Sequence, residues 1–406
     1  MQLKTQIQFG IDHLLSDDLP GGKLNRLKQL RIGLVTNDAA TTARFPAPLM
    51  PSRLALQQMG VNLVALFSPE HGLAANAAEG VSVDNQRDPL TGLPVYSLYG
   101  ATHRPTAEQL SMLDILLFDI PDIGARFYTY IWTLSHVLEA CATQQLPLWI
   151  LDRPNPLSGN LAHVEGPMLN EQQLSSFVGR WSMPVRHSLT IAELANLWNH
   201  ERRLKADLTV IPVQNWQRSD SWPATLLPFI PSSPNMPTYE TALLYLGLCL
   251  FEGTNLSEGR GTPTPFRVIG APWLDAVALT AAFNALALPG ILARAVHFTP
   301  YADKYRDQAC QGVMLHLLDA ELARPVAAGM HLLTLIRQAH PQDFEWLPAP
   351  EPIYPQHFDR LIGQLEIREQ LDTIRQEDQQ GHKMAIAVWT TAAGWANRSA
   401  PFLLYP

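Results

Sequence analysis

The chain has 406 residues, of which 47% are hydrophobic and 16% are charged, and its formal net charge is −8. This composition is typical of a folded protein with a sizeable core, and the length predicts two or three domains. Because the sequence contains no run of lysine or arginine, its acidic charge argues against binding to nucleic acids.

The N-terminal residues lack the apolar stretch of a secretory signal, and no run of about 18 apolar residues follows anywhere in the sequence. The three cysteines, Cys141, Cys249 and Cys310, stand far apart, without the spacing of a disulfide framework or of a metal site. We therefore expect a cytoplasmic protein with no membrane span, no metal and no cofactor.

Buried strands and helices are predicted to alternate in the first half of the chain. The predicted strands are residues 31–37, 61–67, 113–119 and 147–151, and the predicted helices are residues 49–59 and 127–141. Continuous apolar runs of this length, separated by helices, are typical of a parallel sheet that is buried on both faces. We therefore predict an α/β fold whose N-terminal domain is a Rossmann-like parallel sheet.

Polar side chains follow each of these four strands at the point where the strand ends. They are Asn37 after the first strand, Glu70 and His71 after the second, Asp119, Asp122 and Arg126 after the third, and Asp152, Arg153 and Asn155 after the fourth. The carboxyl ends of parallel strands share one edge of the sheet, and ligands bind there in open α/β folds. A single cluster would fit a solvated turn equally well, but four clusters together predict a site.

The second half of the chain alternates less regularly. Thr190 and Glu193 match a capping box that begins a helix, and a strand is predicted at 208–213. Five prolines between residues 222 and 237 predict a segment that crosses between domains. We therefore place a catalytic domain at 1–230 and a smaller α/β domain, which completes the cleft, at 231–406.

A glycine-rich loop at 252–261 carries Glu258 and Arg260 but lacks the spacing of the nucleotide-binding loops. Strands are predicted beyond it at 295–298 and 312–317, and a helix at 325–340 begins with proline in its first turn. The pattern of the remaining tail does not distinguish helix from strand.

Five motifs give the sequence a resemblance to a known family, the NamZ-type exo-β-N-acetylmuramidases. The motifs are F-S-P-E-H-G-L at 67–73, F-D-I-P-D-I-G-A-R-F-Y-T-Y at 118–130, L-D-R-P-N-P at 151–156, S-P-N-M-P at 233–237 and F-E-G-T-N-L-S-E-G-R-G-T at 251–262. The resemblance runs from about residue 10 to residue 405. It implies a Rossmann-like domain, a second α/β domain and an active cleft between them. The implied reaction releases N-acetylmuramic acid from the non-reducing end of peptidoglycan fragments.

The sequence departs from the family pattern at three places. The family usually has D-I-Q-D where this chain reads D-I-P-D at 119–122. It often has R-H-G-M-T where this chain reads R-H-S-L-T at 186–190. Family members also commonly read E-H-G-L-R-G where this chain has E-H-G-L-A-A at 70–75. The carboxylates and arginines are kept, so we expect the departures to affect the rim of the pocket rather than the reaction.

Hydrolysis of a glycoside needs an acid that protonates the leaving oxygen and a second group that stabilises the positively charged carbon. We predict that Glu70 is the acid and that His71 orients it or binds sugar hydroxyls. Glu165 and Glu258 are the candidates for a second carboxylate, and the acetamido group of the substrate is the alternative. Asp119 and Asp122 would bind the substrate, although Asp122 fits a helix cap equally well.

The lactyl carboxylate of the substrate requires a cation. Arg126, Arg153 and Arg260 are the candidates, with Arg126 favoured, and ion pairing to neighbouring carboxylates is the alternative for each. Either Tyr128 or Tyr130 would stack on a sugar ring, and the other would pack in the core.

Two other functions fit the same residues. A metal-dependent hydrolase would use Glu70, His71, Asp119 and Asp122 as ligands, but no H-x-H or H-E-x-x-H spacing is present. A sugar-binding protein without catalytic activity is the third interpretation. In every case the expected partners are disaccharides or short glycans derived from peptidoglycan, and the sequence does not indicate an oligomeric state.

Overall fold

The structure is a computed structural model that describes residues 6–16, 19–78, 80–82, 84–349, 356–373 and 379–406. The strands are β1 (Ile32–Thr36), β2 (Leu63–Ser68), β3 (Gln86–Arg87), β4 (Pro94–Ser97), β5 (Ile115–Asp119), β6 (Leu148–Leu151), β7 (Leu208–Ile211), β8 (Val268–Ala271), β9 (Ile291–Phe298) and β10 (Cys310–Leu317). The helices are α1 (Gly10–Leu15), α2 (Lys23–Lys28), α3 (Ser52–Gln58), α4 (Ala107–Ser111), α5 (Tyr130–Gln144), α6 (Glu171–Leu174), α7 (Ile191–Glu201), α8 (Tyr239–Leu248), α9 (Ala276–Ala285), α10 (Pro325–Ala339), α11 (His357–Ile362), α12 (Leu365–Thr373), α13 (Gln379–Trp389) and α14 (Trp395–Ser399).

The first unit is built on a seven-stranded sheet in the order β3-β4-β2-β1-β5-β6-β7. Its strands are parallel except for β3, which runs antiparallel to β4. Every residue of β1 and β5 is buried, as expected for central strands that helices cover on both faces. The predicted α/β fold with a parallel sheet is confirmed.

The second unit contains a three-stranded antiparallel sheet in the order β8-β10-β9, and α8, α9 and α10 pack around it. The predictions of β9 and β10 began late, at 295 and 312, because the first residues of both strands alternate between buried and exposed positions. This alternation interrupts the apolar run from which a strand is predicted. The strand β8 and the helix α9 were not predicted.

The end of the chain returns to the first unit. Trp395 Nε1 donates a hydrogen bond to the His187 carbonyl over 2.8 Å, and the Leu404 amide donates to Glu193 Oε1 over 2.9 Å. Tyr405 also packs in the core on one face of the first sheet. The domain boundary at residue 230 stays a prediction. The residues beyond α13 fall in the second domain by sequence but contact the first unit.

One hydrophobic core joins the two units. It runs from Phe67 and Phe118 on the first sheet to Phe266 and Val313 in the second unit. This shared core fixes the orientation of the two sheets and therefore the shape of the cleft between them. No helix in the described part of the chain is long and apolar enough to cross a bilayer.

Candidate active site

A cleft with two connected cavities lies between the units. The inner cavity has a volume of about 330 Å³, and the outer cavity, which is more open, has about 700 Å³. Both volumes are in the range of pockets that bind small molecules. The cavities share the lining residues Gly80, Asn235, Glu252, Arg260 and His357.

Glu70 lines the inner cavity from the first unit. It follows the end of β2, and only 4% of its surface is exposed. Thr129 Oγ1 donates a hydrogen bond to Glu70 Oε2 over 2.7 Å, and the Gly80 amide donates to Oε1 over 3.1 Å. Both carboxylate oxygens are therefore held by neutral donors at a fixed place in the cleft.

His71 lines the same cavity beside Glu70. Its Nδ1 lies 2.8 Å from the Ala77 carbonyl, so Nδ1 carries the proton and donates this bond. His71 and Gly72 both have positive φ angles, of 67° and 74°. Two consecutive residues with positive φ turn the chain sharply after β2. The hydrogen bond of the ring helps to hold His71 in a backbone conformation that residues other than glycine rarely adopt.

A network of charges forms the wall from the second unit. Arg260 Nη2 lies 2.6 Å from Glu252 Oε1, and Arg260 Nε lies 3.1 Å from Glu258 Oε1. His357 Nε2 is 3.6 Å from Glu252 Oε2, and Lys304 Nζ is 3.0 Å from Glu258 Oε2.

Glu252 and Glu258 respond differently to their burial. Burial alone would raise the pKa of Glu252, but the charge of Arg260 and the bond to His357 outweigh it and hold that pKa below its usual range. For Glu258, burial outweighs Lys304 and Arg260 and raises the pKa. Glu252 is therefore the carboxylate of the pair that ionises more readily.

The polar clusters after β5 and β6 do not reach the cleft, which corrects the expectation that all four clusters form one site. Asp119 is fully buried and paired with Arg153, at 2.6 Å from Nε and 3.0 Å from Nη2. Asp152 accepts hydrogen bonds from the Ala192 amide and the Tyr405 hydroxyl, and burial raises the pKa of Asp152 to about 7. Asp119, Asp152 and Arg153 therefore stabilise the edge of the sheet.

Asn155, Asn37 and Asp122 also do not line either cavity of the cleft, and each has hydrogen-bonded contacts within the protein. Asn155 Nδ2 donates to the Leu189 carbonyl over 2.9 Å, and Asn37 Oδ1 accepts from the Ala39 amide over 3.1 Å. Asp122 Oδ2 accepts from the Gly124 amide over 2.8 Å and lies 3.3 Å from His187 Nε2. For Asp122, these contacts hold the loop that precedes α5.

The order of the parallel strands reverses around β1, which pairs with both β2 and β5, and ligands usually bind at such a point. Here that crevice is a mostly apolar cavity of only about 40 Å³, which Phe9, Asp122, Arg153 and Trp222 help to line. The larger cleft, whose lining is more polar, instead opens one strand away, after β2.

Arg126, the favoured cation, is fully buried and does not line either cavity of the cleft. Its Nη1 donates to the carbonyls of Pro167 and Met183 over 2.8 and 2.9 Å, and its Nη2 donates to the Leu361 carbonyl over 2.7 Å. Burial lowers the pKa of this guanidinium to about 9. Arg126 therefore joins the first unit to α11, which helps to line the cleft, and its guanidinium does not face the cleft.

Glu165 also lies outside the cleft. Its Oε1 accepts from the Ala327 amide over 2.7 Å, in the first turn of α10, and burial raises the pKa of Glu165 to about 7. Glu258 lines only the outer cavity. Neither candidate for the second carboxylate therefore lines the inner cavity beside Glu70.

Tyr128 lines the inner cavity, whereas Tyr130 does not line it. The Tyr128 hydroxyl bonds to Ser232 Oγ over 2.6 Å, and the Tyr130 hydroxyl donates to the Ser232 carbonyl over 2.6 Å. Burial raises the pKa of both phenols. Tyr128 is 5% exposed, so only a small part of its ring is available to a sugar.

Several residues of the inner cavity were not predicted. They are Gly80, Tyr99, Thr129, Phe177, Asn235, His357 and Arg360. Thr129 and Asn235 lie inside the motifs quoted above, so their motifs were the available signal. His357 and Arg360 lie on α11, for which the sequence offered no clear pattern.

The four ligands predicted for a metal-dependent hydrolase are not brought together. Glu70 and His71 line the cleft, whereas Asp119 and Asp122 face Arg153 and His187. In the described part of the chain, no three residues of the types His, Cys, Asp and Glu are grouped closely enough to hold an ion.

Two family models match consecutive parts of the chain. The model described as "Exo-beta-N-acetylmuramidase NamZ, N-terminal" matches residues 32–240, and the corresponding C-terminal model matches residues 243–405. The chain belongs to the NamZ family. The resemblance inferred from the five motifs is thus confirmed.

A curated member of the NamZ family, the "Peptidoglycan beta-N-acetylmuramidase NamZ" of Bacillus subtilis (strain 168), is 42% identical over 369 residues. The match covers 91% of this chain and 85% of that protein. Two crystal structures of DUF1343 family proteins from Bacteroides fragilis NCTC 9343 have the same fold. Their TM-scores are 0.82 and 0.70, at 30% and 28% identity, and each match covers 99% of both chains.

Proposed function

We propose that the chain hydrolyses the glycosidic bond of N-acetylmuramic acid at the non-reducing end of peptidoglycan fragments, with Glu70 as the general acid. The similarity to the Bacillus subtilis protein supports the reaction. The observation that carries the assignment is Glu70 itself, buried to all but 4% and hydrogen-bonded on both oxygens at the wall of a cavity of about 330 Å³. The substrates that we expect are disaccharides and short glycans from cell-wall turnover. We expect the protein to meet them in the cytoplasm, the location predicted from the sequence.

Glu70 is a better candidate for the general acid than Glu252, which is the other glutamate that lines the inner cavity. Glu252 is paired with Arg260, which holds it ionised, and an ionised carboxylate has no proton to donate. The two hydrogen bonds to Glu70 come from a hydroxyl and an amide, so Glu70 can gain and lose a proton without breaking an ion pair.

Turnover of a chromogenic N-acetylmuramic acid glycoside tests the proposal, and we expect the same rate with and without a chelator. Loss of activity in the chelator would favour the metal-dependent hydrolase. Binding of the sugar without turnover would favour the protein that only binds glycans.

Replacing Thr129 by valine removes the hydroxyl that donates to Glu70 Oε2 over 2.7 Å. Glu70 becomes a carboxylate as it gives up its proton, and hydrogen bonds to charged groups are worth about 1.5–3 kcal/mol, so we expect kcat to fall roughly tenfold or more. Thr129→Ser keeps a hydroxyl and is the matched control, for which we expect a rate close to that of the wild type. A loss in Thr129→Ser without a loss in Thr129→Val would show that the methyl group, not the hydrogen bond, is what matters.

Recognition of the lactyl carboxylate now falls to Arg260, because Arg126 is sealed in the protein interior. Arg260 lines both cavities, and its guanidinium packs over the Phe266 ring at 4.9 Å. Glu252 and Glu258 hold it from one side, which fixes the orientation of its planar group. A planar guanidinium in a fixed orientation is suited to carboxylates, since it can form two parallel hydrogen bonds.

We expect Arg260→Lys to lower kcat/KM for a muramic acid glycoside by about tenfold to a hundredfold, because lysine cannot form two parallel bonds. The rate with the matching N-acetylglucosamine glycoside, which lacks the lactyl group, should change much less. The measurement is the ratio of the two kcat/KM values in wild type and variant. An unchanged ratio would remove Arg260 from the recognition of the carboxylate.

A further inference from the structure

The outer cavity of the cleft contains an aromatic side chain to which the proposed reaction assigns no role. Tyr301 lines this cavity and does not line the inner one. It is 70% exposed, whereas Tyr128, in the inner cavity, is 5% exposed. A large exposed aromatic side chain needs no explanation when it is isolated on a surface, so its support and its position decide whether it has a role.

The loop that carries Tyr301 is fixed to the loop that carries Arg260. The Tyr301 amide donates to the Gly261 carbonyl over 2.9 Å. Gly261 has φ +71°, and a Cβ atom there would lie 2.5 Å from the Ala302 nitrogen, so only glycine allows the two backbones to approach this closely.

A lysine fixes the same loop a second time. Lys304 Nζ donates to the carbonyls of Phe251 and Leu256, each over 3.0 Å, and to Glu258 Oε2 over 3.0 Å. Three acceptors use the full donor capacity of an ammonium group. Tyr301 is therefore an exposed ring on a well-supported loop, so a ligand that packs on the ring does not have to order the loop as well.

The contacts of Glu70 show which part of the substrate would lie beside Tyr301. Gly80, whose amide donates to Glu70 Oε1 over 3.1 Å, lines both cavities, so the Glu70 carboxyl lies near the junction between them. A general acid contacts the oxygen that joins the two sugars. With N-acetylmuramic acid in the inner cavity, the leaving sugar then occupies the outer one.

We propose that Tyr301 forms the binding platform for the leaving sugar, by packing its ring against the apolar C–H face of that pyranose. The amides of Asn76 and Asn235, which line the same cavity, supply polar groups for the sugar hydroxyls. The platform recognises an uncharged pyranose, and the charge of the substrate is recognised at Arg260. This inference rests on the proposed function.

The experiment compares two substrates, the methyl glycoside of N-acetylmuramic acid and a disaccharide in which the same sugar is linked to a second pyranose. Release of free N-acetylmuramic acid is measured for both. An aryl glycoside is avoided, because its ring would itself pack on Tyr301. We expect Tyr301→Ala to raise KM for the disaccharide by about fivefold to tenfold, with kcat/KM for the methyl glycoside within about twofold of the wild type.

Tyr301→Phe is the matched control, because it keeps the ring and removes only the hydroxyl, and it should behave like the wild type with both substrates. If Tyr301→Ala changes both substrates equally or neither, the platform is refuted while the glycosidase activity stands. A loss in Tyr301→Phe as large as in Tyr301→Ala would also refute it, since the hydroxyl would then be the binding group. A wild type that hydrolyses neither substrate would overturn the proposed function, and the platform with it.

Discussion

Glu70→Gln is expected to lower kcat at least about a hundredfold without lowering the melting temperature. Glutamine has the shape of glutamate but no acidic proton, and removal of a general acid typically costs a factor of this size. The fold should tolerate the change. The amide oxygen can accept from Gly80 in place of Glu70 Oε1, and the Thr129 hydroxyl can turn to accept from the amide nitrogen.

Leaving groups of different acidity distinguish a general acid from other catalytic roles. A phenol of low pKa leaves without being protonated, so Glu70→Gln should recover most of its rate with such a glycoside and lose the most with a poor leaving group. Glu252→Gln is the matched control from the same cavity, and any loss that it causes should be similar for all leaving groups. A uniform loss in Glu70→Gln would assign Glu70 a role other than proton donation.

Arg126→Ala is expected to lower the free energy of unfolding by about 3 kcal/mol or more, because three buried carbonyl oxygens lose their donor. Gly363 packs directly against this guanidinium, since a Cβ atom at Gly363 would lie only 2.8 Å from Arg126 Nη2. The guanidinium is therefore closely packed, and its removal leaves a cavity that adds to the cost of the three lost hydrogen bonds. Thermal and denaturant unfolding measure the loss.

The sugar preference of the same variant shows whether Arg126 also recognises the substrate. We expect equal losses with the muramic acid and glucosamine glycosides, since Arg126 acts through the position of α11. Arg126→Lys should also be destabilised, because one ammonium group cannot take the place of both terminal nitrogens, which donate to three separate carbonyls. A selective loss with the muramic acid glycoside would restore Arg126 as the ligand of the lactyl carboxylate.

Local signals predicted much of the fold. Four parallel strands were predicted, namely β1, β2, β5 and β6. Each begins and ends within two residues of its predicted run, because burial on both faces makes these strands continuously apolar. The capping box of Thr190 and Glu193 is also present, with both of its reciprocal hydrogen bonds. By contrast, β8 has only four residues and contains Gly270, which is too little apolar sequence to indicate a strand.

The site was predicted only in part, since its location depends on contacts between distant residues. Glu70 and Arg260 do line one cleft, as the motifs and the crossing segment predicted. The polar clusters after β5 and β6 lie at the same edge of the sheet, but their side chains bond to residues distant in the sequence and do not reach the cleft. Arg153 reaches Ser52, and Asp152 reaches Tyr405, and no pattern in the sequence around either residue indicates its partner.

The contact between Asp152 and Tyr405 spans 253 residues and has a consequence for the order of folding during synthesis. Domains of a nascent chain generally fold from the N-terminus as each emerges from the ribosome. Here the carboxylate at the end of β6 receives its tyrosine partner only after the whole of the second unit has been synthesised. The N-terminal sheet can form early, but its edge is completed only after the second unit has followed it.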